Sequence, residues 1–208
     1  MINYGIIRPD EADEAALLIH HIFMKFEPMT ICNMLDSDKN ILLQSYLMRY
    51  QARAGLAIVA RETENSRIIG SLTHKDYILP PTPDLPEEYL PYIAMYEQDI
   101  AMCHELEKPL NKKKYKPGEL FQPFQICVLP EYGGRGIASH LAAMSVNLGR
   151  RLGFREAIAE CSVMGSRRAF EKNGFKVINA LPFKDYEFKG SKPYESIDGE
   201  LFLLWREL

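Results

Sequence analysis

Cys127-Val128-Leu129-Pro130-Glu131-Tyr132-Gly133-Gly134-Arg135-Gly136-Ile137-Ala138 is the stretch whose reading decides the fold. A largely apolar run over 121–128 meets a proline, then a glycine cluster, then a helical pattern that begins near Ser139. The order reads as strand, tight glycine turn and helix start. Glycine lets the backbone approach a ligand closely, and a helix start leaves N–H groups free beside the positive end of the dipole. Such a turn suits a phosphate or pyrophosphate. The dinucleotide fingerprint needs G-x-G-x-x-G, but Ser139 stands where its last glycine would be. A P-loop needs Gly-Lys-Ser/Thr, which is absent.

Outward from this turn, the pattern predicts alternating strands and helices. A first strand covers 2–7, and Pro9 opens a helix with Asp10, Glu11, Asp13 and Glu14 in its early turns, where carboxylates suit the dipole. Ala15, Ile19, Ile22, Phe23 and Phe26 give that helix an apolar face. A second helix follows over 38–52, then two strands at 56–61 and 67–77 that turn at Asn65-Ser66. Residues 79–117 interrupt the rhythm with a proline-rich loop, a helix over 91–107 and the basic run Lys112-Lys113-Lys114, read as a solvated loop. Tyr92 and Tyr96 share one side of that helix. Beyond it come strand 121–128, helix 139–152, strand 156–161, helix 166–173 closed by Asn173-Gly174, and strands 176–181 and 201–206. This is a mixed α/β chain, read as a single domain over 1–208 with a helical insertion at about 79–117.

Composition narrows the function classes. The 208 residues are 47% hydrophobic and 25% charged, ordinary globular usage, enough for one sizeable core. A net charge of −3 gives no global field to recruit nucleic acid. No apolar stretch approaches the ~18 residues of a membrane span, and the amino terminus shows no signal-peptide pattern, so a cytoplasmic protein is expected. Cys32, Cys103, Cys127 and Cys161 lack C-x-x-C spacing and read as reduced thiols; none of the five histidines has a metal-ligand partner at useful spacing. No metal is expected.

Gly133-Gly134-Arg135-Gly136-Ile137-Ala138 resembles the pyrophosphate-binding signature of the GNAT superfamily of acetyl-CoA-dependent N-acetyltransferases, Q/R-x-x-G-x-G/A. Gly136 and Ala138 fill its last two places, and Gly133 stands where the family commonly has Arg or Gln. Phe170-Glu171-Lys172-Asn173-Gly174-Phe175 resembles a second signature, Y-x-x-x-G-F, with Phe170 replacing the tyrosine that in many relatives protonates the leaving thiolate. The resemblance implies the GNAT fold, a central mostly antiparallel sheet flanked by helices. It implies acetyl-CoA as co-substrate, held by Gly133, Gly134, Arg135, Gly136, Ile137, Ala138 and Ser139, with Phe170 beside it. A backbone N–H from Ile126, Cys127 or Val128 would face the acetyl carbonyl.

A narrower resemblance lies at two further places. Phe26-Glu27-Pro28-Met29 is similar to the D-E-P-L stretch of the insect-type arylalkylamine (dopamine) N-acetyltransferases, and Cys161-Ser162-Val163-Met164-Gly165-Ser166 to their C-S-x-x-x-S segment. On that likeness Glu27 falls on the catalytic glutamate, and Ser162 and Ser166 on its active-site partners. The implied reaction acetylates the primary amine of dopamine, serotonin, tyramine or octopamine. A polyamine or another small amine is the alternative within the same chemistry, and a non-catalytic acyl-CoA-binding module the alternative outside it. The chain would act as a monomer or homodimer, without nucleic-acid or membrane partners.

The chemistry explains the need for a glutamate. A primary alkylamine has a pKa near lysine's, ~10.4, so near pH 7 only about one molecule in a few thousand is the free nucleophile. A thiol with a pKa near ~8.5 leaves far more readily, so a base matters more than an acid. Glu27 precedes a proline, which pushes it out of the helical region and makes it project beyond the first helix. There is no Ser-His-Asp or Cys-His arrangement to support an acyl-enzyme, so direct attack is the simpler route.

Overall fold

The computed structural model describes residues 1–208 apart from 34, 35, 81, 83 and 84. Seven strands form one sheet: β1 (Ile2–Ile6), β2 (Ala57–Glu62), β3 (Ile68–Asp76), β4 (Leu120–Val128), β5 (Glu156–Cys161), β6 (Lys176–Pro182) and β7 (Glu200–Glu207). Their order is β1-β2-β3-β4-β5-β7-β6, with every neighbouring pair antiparallel except β4 and β5. The helices are α1 (Ala12–Phe26), α2 (Pro28–Cys32), α3 (Ser37–Arg53), α4 (Leu90–Ala94), α5 (Glu97–Leu106), α6 (Ile137–Arg151) and α7 (Met164–Glu171). The sheet is mostly antiparallel and flanked by helices, the arrangement that the family resemblance implied.

Period-two alternation sends neighbouring strand residues to opposite sides of the sheet. Phe121, Ala157, Ala159, Phe202 and Leu204 join the larger core, which α1 and α6 also feed. Leu120, Ile158, Leu201 and Leu203 join a second core with Met102 and Leu106 of α5. The 79–117 segment therefore supplies the cover for one side of the carboxy-terminal half of the sheet. Gly149 lets α6 lie close: a Cβ there would come within 2.8 Å of the Phe121 ring and 2.7 Å of Leu208.

Three local expectations change. Pro9–Glu11 forms a 3₁₀ turn before α1, and Glu11 is buried at 5% exposure instead of facing solvent. Its carboxylate accepts from Arg61 Nε at 2.6 Å and pairs with Arg8 Nη2 at 2.9 Å, a buried pair that is costly to break from one side. The helix predicted over 91–107 is two helices, because Tyr96 leaves helical geometry at ψ 13° while its hydroxyl accepts from the Asn40 amide. The basic run is not simply solvated: Lys112 pairs with the buried Glu107 at 2.6 Å and Lys114 with Glu156 at 3.2 Å. Part of the proline-rich loop falls on 81, 83 and 84, outside the described residues.

The feature that creates a site is the parting of β4 from β5. They pair only at Leu120↔Glu156 and Phe121↔Ala157, although both strands continue. Just beyond, β4 carries Pro123, which has no N–H to donate, and an irregularity where His74 faces Pro123 but Leu72 faces Ile126. The extra residue bends β4, and a bulge commonly re-aims a strand in this way. Gln125 N–H is absorbed by the Thr73 hydroxyl at 3.1 Å. From Gln122 onward the β5-facing edge of β4 has no strand partner among the described residues, leaving a wedge-shaped opening in the sheet.

Candidate active site

A cavity of about 1240 Å³ occupies the opening. Glu27, Ile126, Cys127, Val128, Ala138, Ser162 and Ser166 all line it, so residues from four separate parts of the chain meet there. Glu27 sits between α1 and α2 in extended conformation (φ −87°, ψ 118°), the geometry a residue before proline prefers. Its carboxylate accepts the Thr30 N–H at 2.7 Å and so caps α2 as well as facing the cavity. Ser166 does not cap α7; its hydroxyl donates to the Val163 carbonyl at 2.9 Å. The Ser162 hydroxyl makes no hydrogen bond among the described residues.

Of Gly133 to Ser139 only Ala138 lines the cavity, and the glycine turn before it has the conformation that its composition suggested. Gly134 and Gly136 have φ of 73° and 77°, in the left-handed region, and Gly136 is the residue before α6. Gly133 has an ordinary negative φ, and its N–H is bonded to the Pro130 carbonyl at 2.9 Å. The first amide bonded back into α6 is that of His140, to the Gly136 carbonyl at 3.0 Å. Among the described residues the amides from Gly134 to Ser139 have no acceptor, and a Cβ at Gly134 or Gly136 would meet nothing within 4 Å. Open space over unpaired donors at a helix start fits a pyrophosphate. Arg135 stacks its guanidinium on Tyr132 at 4.9 Å from the ring centre, exposed at the edge of this cradle.

Phe170 is elsewhere. It is 2% exposed, packs against Phe175 in the larger core and does not line the cavity. His20 bonds Asn40 at 2.7 Å, and His140 stacks on Tyr4 with ring centres 4.0 Å apart. Among the described residues no group of three or more His, Cys, Asp or Glu side chains is placed to hold a metal ion. None of their helices is long and apolar enough to cross a membrane.

The 79–117 segment contributes more of the site than its sequence disclosed. Tyr96, Asp99, Cys103 and Glu107 all line the cavity. Asp99 accepts from the Asn33 amide at 2.7 Å and from the Tyr194 hydroxyl. Burial pushes its carboxyl up to about 6 against those hydrogen bonds, and the nearby Glu27 charge adds to the rise. Burial also raises the Tyr96 hydroxyl to about 12. Glu160 of β5 accepts from Gln122 Nε2 at 2.9 Å; burial first, then the charge of Glu107, push its carboxyl up to about 7. Nothing in the order of residues announced this group. The one local signal was Glu160 itself, an acid following the apolar run Ala157-Ile158-Ala159 inside β5.

Residues 45–175, well over half of the chain, match the Acetyltransferase (GNAT) family. Among solved structures, the C-terminal condensation domain of Ebony in complex with beta-alanyl-dopamine superposes with a TM-score of 0.82 at 13% identity, covering 100% of this chain and 99% of that one. A putative arylalkylamine N-acetyltransferase 7 from the yellow fever mosquito Aedes aegypti gives 0.79 at 15% identity, over 99% and 87%. A Drosophila melanogaster polyamine N-acetyltransferase gives 0.77 at 16% identity, over 100% of both chains. At such identities the likeness is one of fold.

Proposed function

The chain belongs to the GNAT acetyltransferase family, and on that premise we propose that it transfers the acetyl group of acetyl-CoA to the primary amine of a small arylalkylamine. The observation that carries this reading is the convergence of Glu27, Ser162 and Ser166 with the free edge of β4 on one cavity, which a cradle of unpaired amides adjoins at Ala138. The rest of the wall is largely apolar and aromatic, with Phe23, Phe26, Leu47, Ile93 and Phe124 suited to a ring.

Acetyl-CoA supplies an acyl group on a good leaving thiolate. The chain's own residues do the rest. The amides of Gly134 to Ser139 would hold the pyrophosphate, with Arg135 adding positive charge. Glu27 accepts a proton from the substrate ammonium through a water, restoring the lone pair that attacks the acyl carbon. Backbone N–H groups on the free edge of β4, in the Ile126 to Val128 region, stabilise the charge that develops on the acyl oxygen. Pre-aimed backbone donors of this kind commonly contribute ~3 kcal/mol. Ser162 and Ser166 line the same cavity as polar partners of this chemistry, Ser162 with a hydroxyl free to donate. We read the chain as one catalytic domain with 79–117 as its helical insertion.

The test is thiol release from acetyl-CoA against tyramine, dopamine, serotonin, spermidine and a lysine peptide. Release with the aromatic amines supports the reading. Release with spermidine or the peptide alone keeps the reaction and discards the substrate class. Binding of acetyl-CoA without turnover of any amine leaves an acyl-CoA-binding module.

A further inference from the structure

Part of the cavity wall is a polar recess that the acetyl-transfer chemistry does not use. Lys75 of β3, Gln122 of β4, Glu160 of β5, Glu107 after α5 and Lys112 meet there. Glu160 lies in β5 and Ser162 just past the end of that strand, two residues on, so at most about 7 Å separates them along the chain. The recess therefore adjoins the serines along the chain.

Its hydrogen bonding is incomplete in a specific way. Gln122 is 1% exposed and donates Nε2 to Glu160 Oε2, which fixes its carboxamide orientation and leaves its Oε1 without a partner. Glu160 Oε1 is likewise buried without a well-formed hydrogen bond, with the Cys103 thiol and the Glu107 carboxyl beside the same carboxylate. Lys75 has Phe124 beneath its ammonium, 4.5 Å from the ring centre, and no carboxylate within ion-pair distance among the described residues. Two acceptor oxygens and one cationic donor are thus left over. Buried polar atoms without partners are costly, so they specify what should fill the space.

Charge excludes the ionic candidates. Lys112 already holds Glu107 at 2.6 Å, and Lys75 stands near Glu160 without forming an ion pair with it. A second ammonium or a guanidinium would add an uncompensated positive charge to a buried place, and a carboxylate an uncompensated negative one. Burial lowers the Lys75 ammonium and raises the Glu160 carboxyl, which marks the recess as hostile to net charge. A neutral hydroxyl answers two of the three at once, donating to one of the oxygens and accepting from the ammonium.

We propose that the Lys75–Gln122–Glu160 recess binds a hydroxyl at the end of the substrate remote from its amine, making the enzyme selective for hydroxylated arylalkylamines. The hydroxyl donates to Glu160 Oε1 or Gln122 Oε1 and accepts from Lys75 Nζ. This inference rests on the amine-acetylating function proposed above. A site that hydrogen-bonds a substrate hydroxyl rejects the analogue lacking it, because the protein groups are then left unpaired.

The experiment compares tyramine, phenethylamine, agmatine and 4-(2-aminoethyl)benzoate as acceptors for the wild type and for Glu160→Gln. Calorimetric binding of each amine runs in parallel. The wild type should favour tyramine over phenethylamine about tenfold or more in kcat/KM and in affinity. The tyramine-to-phenethylamine ratio should fall toward one in Glu160→Gln, and in Gln122→Met should Glu160→Gln fail to fold. Equal use of tyramine and phenethylamine by the wild type, a ratio unmoved by both substitutions, or preference for agmatine or the benzoate would overturn the hydroxyl recess while leaving acetyl transfer intact. If no amine turns over, the proposed function fails, and the calorimetric ratio alone decides the recess.

Discussion

Replacing Glu27 with Gln separates the two things that this side chain does. The carboxylate caps α2 through Thr30 N–H at 2.7 Å and also faces the cavity. A glutamine retains an acceptor oxygen for the Thr30 amide but cannot take a proton. Glu27→Ala loses both, and an N-cap is worth about 1 kcal/mol, or roughly 2–4 °C in Tm for a chain of this size. Glu27→Gln should therefore melt within about a degree of the wild type and bind acetyl-CoA with unchanged affinity. Its turnover near pH 7 should drop by ~10²-fold or more, the usual worth of a positioned base. The pH profile is the sharper reading. With no enzyme base, rate follows the fraction of free amine, which grows about tenfold per pH unit below the amine pKa of ~10.4. The variant should gain on the wild type as pH rises from 7 to 10. Steady-state kinetics with tyramine across that range, with acetyl-CoA binding by calorimetry, make the test. A loss of the same fold at every pH, or no loss at any pH, would refute the assignment of Glu27 as base.

Gly136→Ala places a Cβ in open space but at φ 77°, so its cost is backbone strain of ~1–2 kcal/mol and displacement of the amide cradle. It should weaken acetyl-CoA binding about tenfold, whereas Gly149→Ala, which drives a Cβ against Phe121 and Leu208, should lower Tm by overpacking and leave coenzyme affinity alone. His74 is 0% exposed, with Nδ1 against the Leu56 carbonyl at 2.9 Å; a carbonyl only accepts, so Nδ1 carries the proton and Nε2 is unpaired. Burial pushes its pKa down to about 4. Below pH 6.5 the unfolded chain binds this proton and the folded one does not, so stability falls with pH between about 6.5 and 4, by about 3 kcal/mol at ~1.36 kcal/mol per unit. Denaturant melts of His74→Gln should show a shallower pH dependence over that window, and an unchanged slope would remove His74 as its source.

Much of the candidate site is local and therefore legible. The glycine cluster, the helix start after it and the strand before it are consecutive, and turn conformation follows from which residues tolerate positive φ. Glu27 before Pro28 is equally local, and its extended geometry comes from the proline ring. The Phe170 expectation marks the boundary of such reasoning: a signature names a position, but packing against Phe175 decides whether the ring reaches the cavity. The break at Tyr96 was invisible for a related reason, since its partner Asn40 is distant in the chain. Pro123 was the missed signal, because a proline inside a strand foretells a bulge and so the parting of β4 from β5.

By itself, then, the order of residues determined the strand and helix succession, the left-handed glycine turn at a helix start and a glutamate projecting from a helix end, because each depends on neighbours along the backbone. Tertiary structure alone decided that β4 and β5 separate after two residue pairs, that Glu27, Ser162 and Ser166 share one cavity, and that Lys75, Gln122, Glu107 and Glu160 meet in its wall. Those last four come from three strands and an intervening helical segment. Their unmatched hydrogen bonds exist only once burial has removed the water that would otherwise satisfy them.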